Sequence, residues 1–109
     1  MTLLLEGPFD ALVVADSSRR RYNLCVAALC GSSALGPRRL QLAELVKQTP
    51  SVIVALDRSV DAAIANRTID EIRSIPAIGK VRRLAIPERF DDPGQMSSAD
   101  VNAWLSSAM

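Results

Sequence analysis

The chain has 109 residues, 49% of them hydrophobic and 23% charged, with thirteen Lys and Arg against twelve Asp and Glu for a formal net charge of +1. That is one domain's worth of sequence with apolar material for a single core, and its near-neutral balance is unlike that of a general polyanion binder. No histidine is present and the two cysteines are Cys25 and Cys30, which excludes Ser-His-Asp and Cys-His catalysis and any zinc site needing His or four cysteines.

Apolar runs alternate with helical patterns along the chain. Residues 2–5 are apolar and stop at Glu6-Gly7, after which Pro8 suits the first position of a helix. Phe9, Leu12 and Val13 follow at helical spacing, and the segment dissolves into Ser17-Ser18-Arg19-Arg20-Arg21. Residues 24–30 form a second apolar run, in which Cys25 and Cys30 read as small core residues, and Gly31-Ser32-Ser33 ends it. Gly36-Pro37 opens a second helix carrying Leu42, Leu45 and Val46, ended by Thr49-Pro50.

Residues 52–56 are the clearest strand, β-branched and ending at Asp57. Ser59 begins a third helix running to about Arg73, with Val60, Ile64, Ile69 and Ile72 as its apolar side chains, before Pro76 and Gly79 break it. A fourth, more amphipathic strand covers residues 81–86. The last helix starts at Ser97, whose spacing to Asp100 is that of a capping box, and Val101, Trp104, Leu105 and Ala108 fall at i, i+3, i+4 and i+7. No run approaches the ~20 apolar residues that span a bilayer, and the N-terminus lacks a charged signal-peptide region, so a cytoplasmic location is expected.

Strands apolar along their whole length belong in a parallel sheet covered on both faces. The prediction is a single α/β domain over residues 1–109, with about four mainly parallel strands and helices on both faces. Ligands of such sheets bind beyond the carboxyl ends of the strands. Glu6-Gly7, Gly31-Ser32-Ser33, Asp57-Arg58-Ser59-Val60-Asp61, and Glu88 with Asp91-Asp92 all emerge there. Carboxylates converging on one edge repel, and oxygen ligands without His or Cys select Mg²⁺, Mn²⁺ or Ca²⁺.

At these residues the sequence resembles a Toprim domain, the Rossmann-like module shared by bacterial-type DNA primases, topoisomerases, small nucleases and recombination proteins. The family's strand followed by Glu-Gly-x-x-Asp reads Leu4-Leu5-Glu6-Gly7-Pro8-Phe9-Asp10. A primase-type Gly-Ser-Ser turn reads Gly31-Ser32-Ser33, followed by Arg39-Leu40-Gln41-Leu42. The β-branched strand ending in Asp-x-Asp-x-Ala-Gly reads Val52-Ile53-Val54-Ala55-Leu56-Asp57-Arg58-Ser59-Val60-Asp61-Ala62. Asp91-Asp92-Pro93-Gly94-Gln95-Met96 is similar to the Lys-Asp-Pro-x-Asp segment of phage and plasmid primases.

The resemblance implies that Glu6 is the general acid or base, or a further metal ligand. It implies Mg²⁺ or Mn²⁺ at Asp57, with Ser59 and Asp61 as the companion positions, and organisation of phosphates for nucleotidyl transfer or strand cleavage. Ser59 replaces the second acid of Asp-x-Asp and removes one negative charge, so the cation is held more weakly or lost. Asp61 takes the family's small Ala position and Ala62 its Gly. Capping and first-turn charge of a helix account fully for Ser59 and Asp61, and capping competes for Asp57. Gly7, Gly31, Ser32, Arg38 and Arg39 are the expected phosphate or nucleic-acid contacts, with Asp10 and Asp91 in support. Arg19-Arg20-Arg21 is expected on the opposite edge. One Trp, one Tyr and two Phe make no platform for stacking bases.

Three functions follow from the resemblance. The first is a primase-like Toprim domain acting in DNA replication of a phage, plasmid or other mobile element, with DNA or RNA as ligand. It would work with primase or replication subunits or an upstream domain, since the chain begins five residues before Glu6 and lacks the zinc-binding and N-terminal catalytic parts of a complete primase. The second is a degenerate Toprim adaptor that binds nucleic acid or a replication protein. The third is a small Mg-dependent Toprim nuclease. A flavodoxin-like nucleotide-binding domain is a reading outside the family, against which stands the absence of G-x-G-x-x-G and of G-x-x-x-x-G-K-[ST].

Overall fold

A computed structural model describes residues 1–18, 24–29, 42–44, 51–76 and 78–108. Strand β1 (Thr2–Leu5) leads to helix α1 (Pro8–Ser18), then β2 (Cys25–Ala28) and β3 (Ser51–Ala55). Helix α2 (Ala62–Arg73), strand β4 (Lys80–Arg83), a 3₁₀ turn at Pro93–Gln95 and helix α3 (Ser98–Ala108) follow. Residues 42–44 are helical, where the second predicted helix lies. The rest of that helix and Cys30 fall outside the described residues.

The four strands form one parallel sheet in the order β2-β1-β3-β4, with Leu5 level with Ala28 on one side and Ala55 on the other. Side chains of a strand alternate between faces, and both faces of β1 and β3 are apolar. Leu3, Leu5, Ile53 and Ala55 face one cluster, which Val14 of α1 and Val101, Trp104 and Leu105 of α3 complete. Leu4, Val52 and Val54 face the other, against Leu42 and against Ala65, Ile69 and Ile72 of α2. From the centre of the sheet, β1→β2 and β3→β4 step in opposite directions, so right-handed crossovers send α1 and α2 to opposite faces. The predicted four-stranded parallel α/β layering is thus the one observed.

Local details depart from expectation for physical reasons. Helix α1 does not bury Phe9 and Leu12, which are 67% and 69% exposed; it buries Asp10, Val14 and Ser18, one residue per turn. An aspartate therefore lies on the inward stripe of the helix. In α2, Ile64 is exposed, and Ala65 and Thr68 join Ile69 and Ile72 inside. This helix starts at Ala62 and not at Ser59, because Asp61 is its N-cap and accepts the Ala63 N–H at 2.8 Å. Strand β4, expected over residues 81–86, is the largely exposed Lys80–Arg83 and stops at Arg83, although the Leu84 N–H still donates to the Val54 carbonyl at 2.9 Å.

The capping box of α3 is complete. The Asp100 N–H donates to Ser97 Oγ at 3.1 Å, and the Ser97 N–H donates back to Asp100 Oδ2 at 3.2 Å. These Ser97 bonds, followed by the Arg89 guanidinium, hold the Asp100 carboxyl below its usual range. Trp104 fills the core beneath β1 and β3 and donates its indole N–H to the Ala85 carbonyl at 2.9 Å, tying the chain after β4 to α3. Because Asp61 acts here as a cap, Asp61→Ala is expected to lower stability by about 1 kcal/mol. Thermal melts of the two proteins check this; unchanged melting would remove the capping assignment.

Candidate functional site

The strand order changes direction between β1 and β3, and the crevice beyond the carboxyl ends of those two strands is where α/β sheets bind ligands. Glu6 follows Leu5 directly, and Asp57 stands two residues beyond Ala55 on the neighbouring strand. Helix α1 begins at once after Glu6-Gly7, closing its first turn through Ala11 N–H to the Gly7 carbonyl at 3.1 Å. That turn brings Asp10 inward, 6% exposed, to the same crevice. Gly7 leaves room for it, since a Cβ there would stand 3.2 Å from Asp10 Oδ2.

The segment after β4 brings a fourth acid. The Gly94 N–H donates to Asp10 Oδ1 at 2.9 Å, across 84 residues of sequence, and this places Asp92 against Asp10. Asp10 is pushed up to about 6 by burial, against the Gly94 bond, with the charges of Asp57 and Asp92 adding to the rise. Asp57 is likewise pushed up to about 6, first by burial, then by the charge and proton-sharing contact of Glu6, and then by Asp92. Glu6, Asp10, Asp57 and Asp92 thus form one electrostatically coupled group.

Among the described residues none of these four acids forms a salt bridge. Salt bridges join other residues instead, Arg73 to Asp70 and Arg89 to Asp100. Glu6 Oε2 and Asp57 Oδ1 are buried without a hydrogen-bond donor; when both carboxyls are ionised neither can supply one to the other. Buried acceptors without donors cost roughly 1–3 kcal/mol each. Such oxygens suit a hard divalent cation. As they stand, no three His, Cys, Asp or Glu side chains among the described residues are gathered into a cage around one ion.

The remaining predicted residues fall elsewhere. Asp61 is exposed and engaged as the cap of α2, and Ser59 is exposed in the turn before it; neither belongs to the coupled group. Asp91 is exposed and enters through its backbone, its carbonyl accepting the Arg58 N–H at 3.1 Å and its N–H donating to Gln95 Oε1 at 2.9 Å. The neighbouring Asp92 supplies the carboxylate. Gly31, Ser32, Arg38 and Arg39 lie outside the described residues. Sequence reasoning missed Gly94, and placed its weight on Asp91 where Asp92 reaches the site. The Asp-Asp-Pro-Gly signature marked the loop without fixing which acid turns inward.

No protein-family model and no curated protein matches the chain. Among solved structures, the crystal structure of the primase fragment of the bacteriophage T7 primase-helicase protein is similar, with a TM-score of 0.67 at 21% identity. The likeness covers 97% of this chain and 42% of that one, so the chain spans less than half the length of that fragment. At this identity the likeness carries the fold: a four-stranded parallel α/β domain of the kind found in a phage primase fragment.

Proposed function

We propose that the chain is a primase-like Toprim domain that acts on nucleic acid in DNA replication, with a divalent-cation site for nucleotidyl transfer at the carboxyl ends of β1 and β3. The observation that carries this reading is the pair of buried, donorless oxygens, Glu6 Oε2 and Asp57 Oδ1, just beyond adjacent strands in a carboxylate group that forms no salt bridge among the described residues. Asp57 and Glu6 would hold Mg²⁺ or Mn²⁺, and Asp10 and Asp92 would raise the local negative charge. Mg²⁺ typically keeps several waters and takes only one or two protein carboxylates, so an open set of acids suits it better than a closed cage. When bound, the ion supplies charge neutralisation and in-line orientation of phosphates.

Glu6, beside Asp57, serves either as a further ligand or as the group for proton transfer. Gly7, Gly31, Ser32, Arg38 and Arg39 are the proposed phosphate contacts. Primer synthesis would draw on partner domains, in keeping with the share of the T7 fragment that this chain does not span. A second reading, a degenerate adaptor, is favoured by Ser59 in the acid position of Asp-x-Asp and by the engagement of Asp61 as a cap.

Calorimetric titration with Mn²⁺ at near-neutral pH separates the two. Binding in the micromolar to low-millimolar range is expected, weakened at least about tenfold in Asp57→Asn, or roughly 1.4 kcal/mol. No heat in either protein would end the catalytic reading and leave the adaptor. Template-directed nucleotide incorporation in the presence of primase partner domains, set beside cleavage of labelled single-stranded DNA, would then distinguish primase from nuclease.

A further inference from the structure

Arg58 stands between Asp57 and Ser59, in the middle of the acidic motif, yet forms no ion pair among the described residues. Its side chain turns from Asp57 to a different part of the chain: the guanidinium donates to the Glu88 carbonyl. Its own backbone N–H donates to the Asp91 carbonyl at 3.1 Å. One exposed residue therefore grips the 88–91 segment twice, with side chain and main chain. Beyond that grip the segment turns tightly. The Asp91 N–H is taken by Gln95 Oε1, the Gln95 N–H donates to the Asp92 carbonyl at 3.2 Å, and the Gly94 N–H reaches Asp10 Oδ1. Asp92 lies between two fastenings, Arg58 on one side and Asp10 on the other.

The two fastenings differ in character. The Asp10 end brings like charges together and is opposed by their repulsion, whereas the Arg58 end sets a cation on a neutral carbonyl and meets no such repulsion. A guanidinium donating to a carbonyl is a charge-assisted bond of the stronger class. Arg58 can make that bond because its planar, permanently charged head does not depend on a carboxylate partner.

We infer that Arg58 is a positioning residue, which clamps the 88–92 segment so that the Asp92 carboxylate stays in the acidic crevice. The consequence for ion affinity rests on the metal reading above; the clamp itself does not. Arg58→Met keeps an unbranched apolar stem and removes the donor, whereas Arg58→Lys retains a cationic N–H donor. Arg58 is exposed, and melting temperatures close to wild type are expected for both variants.

Native-state hydrogen exchange at the Gly94 amide, on metal-free protein, reads the clamp directly. Exchange at least about tenfold faster in Arg58→Met, largely restored in Arg58→Lys, is expected. Exchange in Arg58→Met within twofold of wild type, or Lys behaving as Met does, would overturn the clamp. Mn²⁺ titration reads its consequence, with affinity expected to fall about tenfold in Arg58→Met and to recover in Arg58→Lys. Equal affinity in wild type and Arg58→Met would overturn the positioning role. A wild type that takes up no Mn²⁺ would defeat the metal reading, and the exchange rates would then decide on Arg58 alone.

Discussion

Lowering the pH from about 7.5 to about 5 is expected to raise the melting temperature of the metal-free protein. Asp10 and Asp57 both titrate near 6 in the folded chain against 3.8 for an unperturbed aspartate. The folded state therefore binds more protons than the unfolded state across the interval between those values. Stability linked to these groups is full below the unfolded value and is lost as the pH rises through the folded one. Each pKa unit corresponds to about 1.36 kcal/mol. With Asp57 partly exposed and the two groups sharing their charge, the gain between about pH 7.5 and pH 5 is roughly 1–2 kcal/mol, or about 5–10 °C in a domain of this size. The opposite contribution of Asp100, whose pKa is lowered, enters only at more acid pH.

Asp10→Asn separates this cause from others. It keeps the Oδ1 acceptor of the Gly94 N–H and removes the charge, so the variant should melt higher than wild type at neutral pH and show a flatter pH profile. Addition of Mg²⁺ or Mn²⁺ at neutral pH should raise the wild-type melting temperature as acid does. A wild-type melting temperature that is flat or falls between these pH values would remove the account of the carboxylate group as a source of repulsion.

Gly94→Ala is expected to be among the most damaging single-methyl changes in the chain. A Cβ at this position would stand 2.8 Å from Asp10 Oδ1, 2.9 Å from Phe9 Cδ1 and 3.0 Å from Asp92 Oδ1. Phe9 is exposed and can swing aside. Asp10 is buried in the first turn of α1 and accepts the amide of this same glycine, so the loop itself must retreat. The lost hydrogen bond and the forced shift together cost about 1–3 kcal/mol, lowering the melting temperature by about 5–15 °C. Mn²⁺ affinity should fall with it, since Asp92 leaves with the loop. A variant that melts within a degree or two of wild type would show that the loop does not need to lie so close.

The layered fold was legible because its cause is local. Residues 52–56 are β-branched and apolar on both faces, which only a sheet covered on both sides explains, and Val101, Trp104 and Leu105 line one helical stripe that is buried as read. Glu6 and Asp57 could be brought to one edge by the general rule for parallel sheets, and the structure puts them on adjacent strands. What sequence could not give was set by distant contacts. The partner of Asp10 is Gly94, and no periodicity in α1 announces that an aspartate will turn inward while Phe9 and Leu12 turn out. The choice between Asp91 and Asp92 depends on a loop held by Arg58, and that between Ser59 and Asp61 as the helix cap on how far the chain runs extended after β3.

Of the four strands β1 is made first, yet it lies between β2 and β3, with Leu3 flanked by Val26 and Ile53. Its second neighbour does not exist until about half of the chain has been made. Until then one edge of this leucine-rich strand is open, and joining it to β3 closes a long loop whose entropy must be spent before the pairing returns anything. Synthesis order and spatial order therefore disagree at the centre of the sheet. The site acids Glu6 and Asp57, beyond the ends of these two strands, are brought together by that pairing.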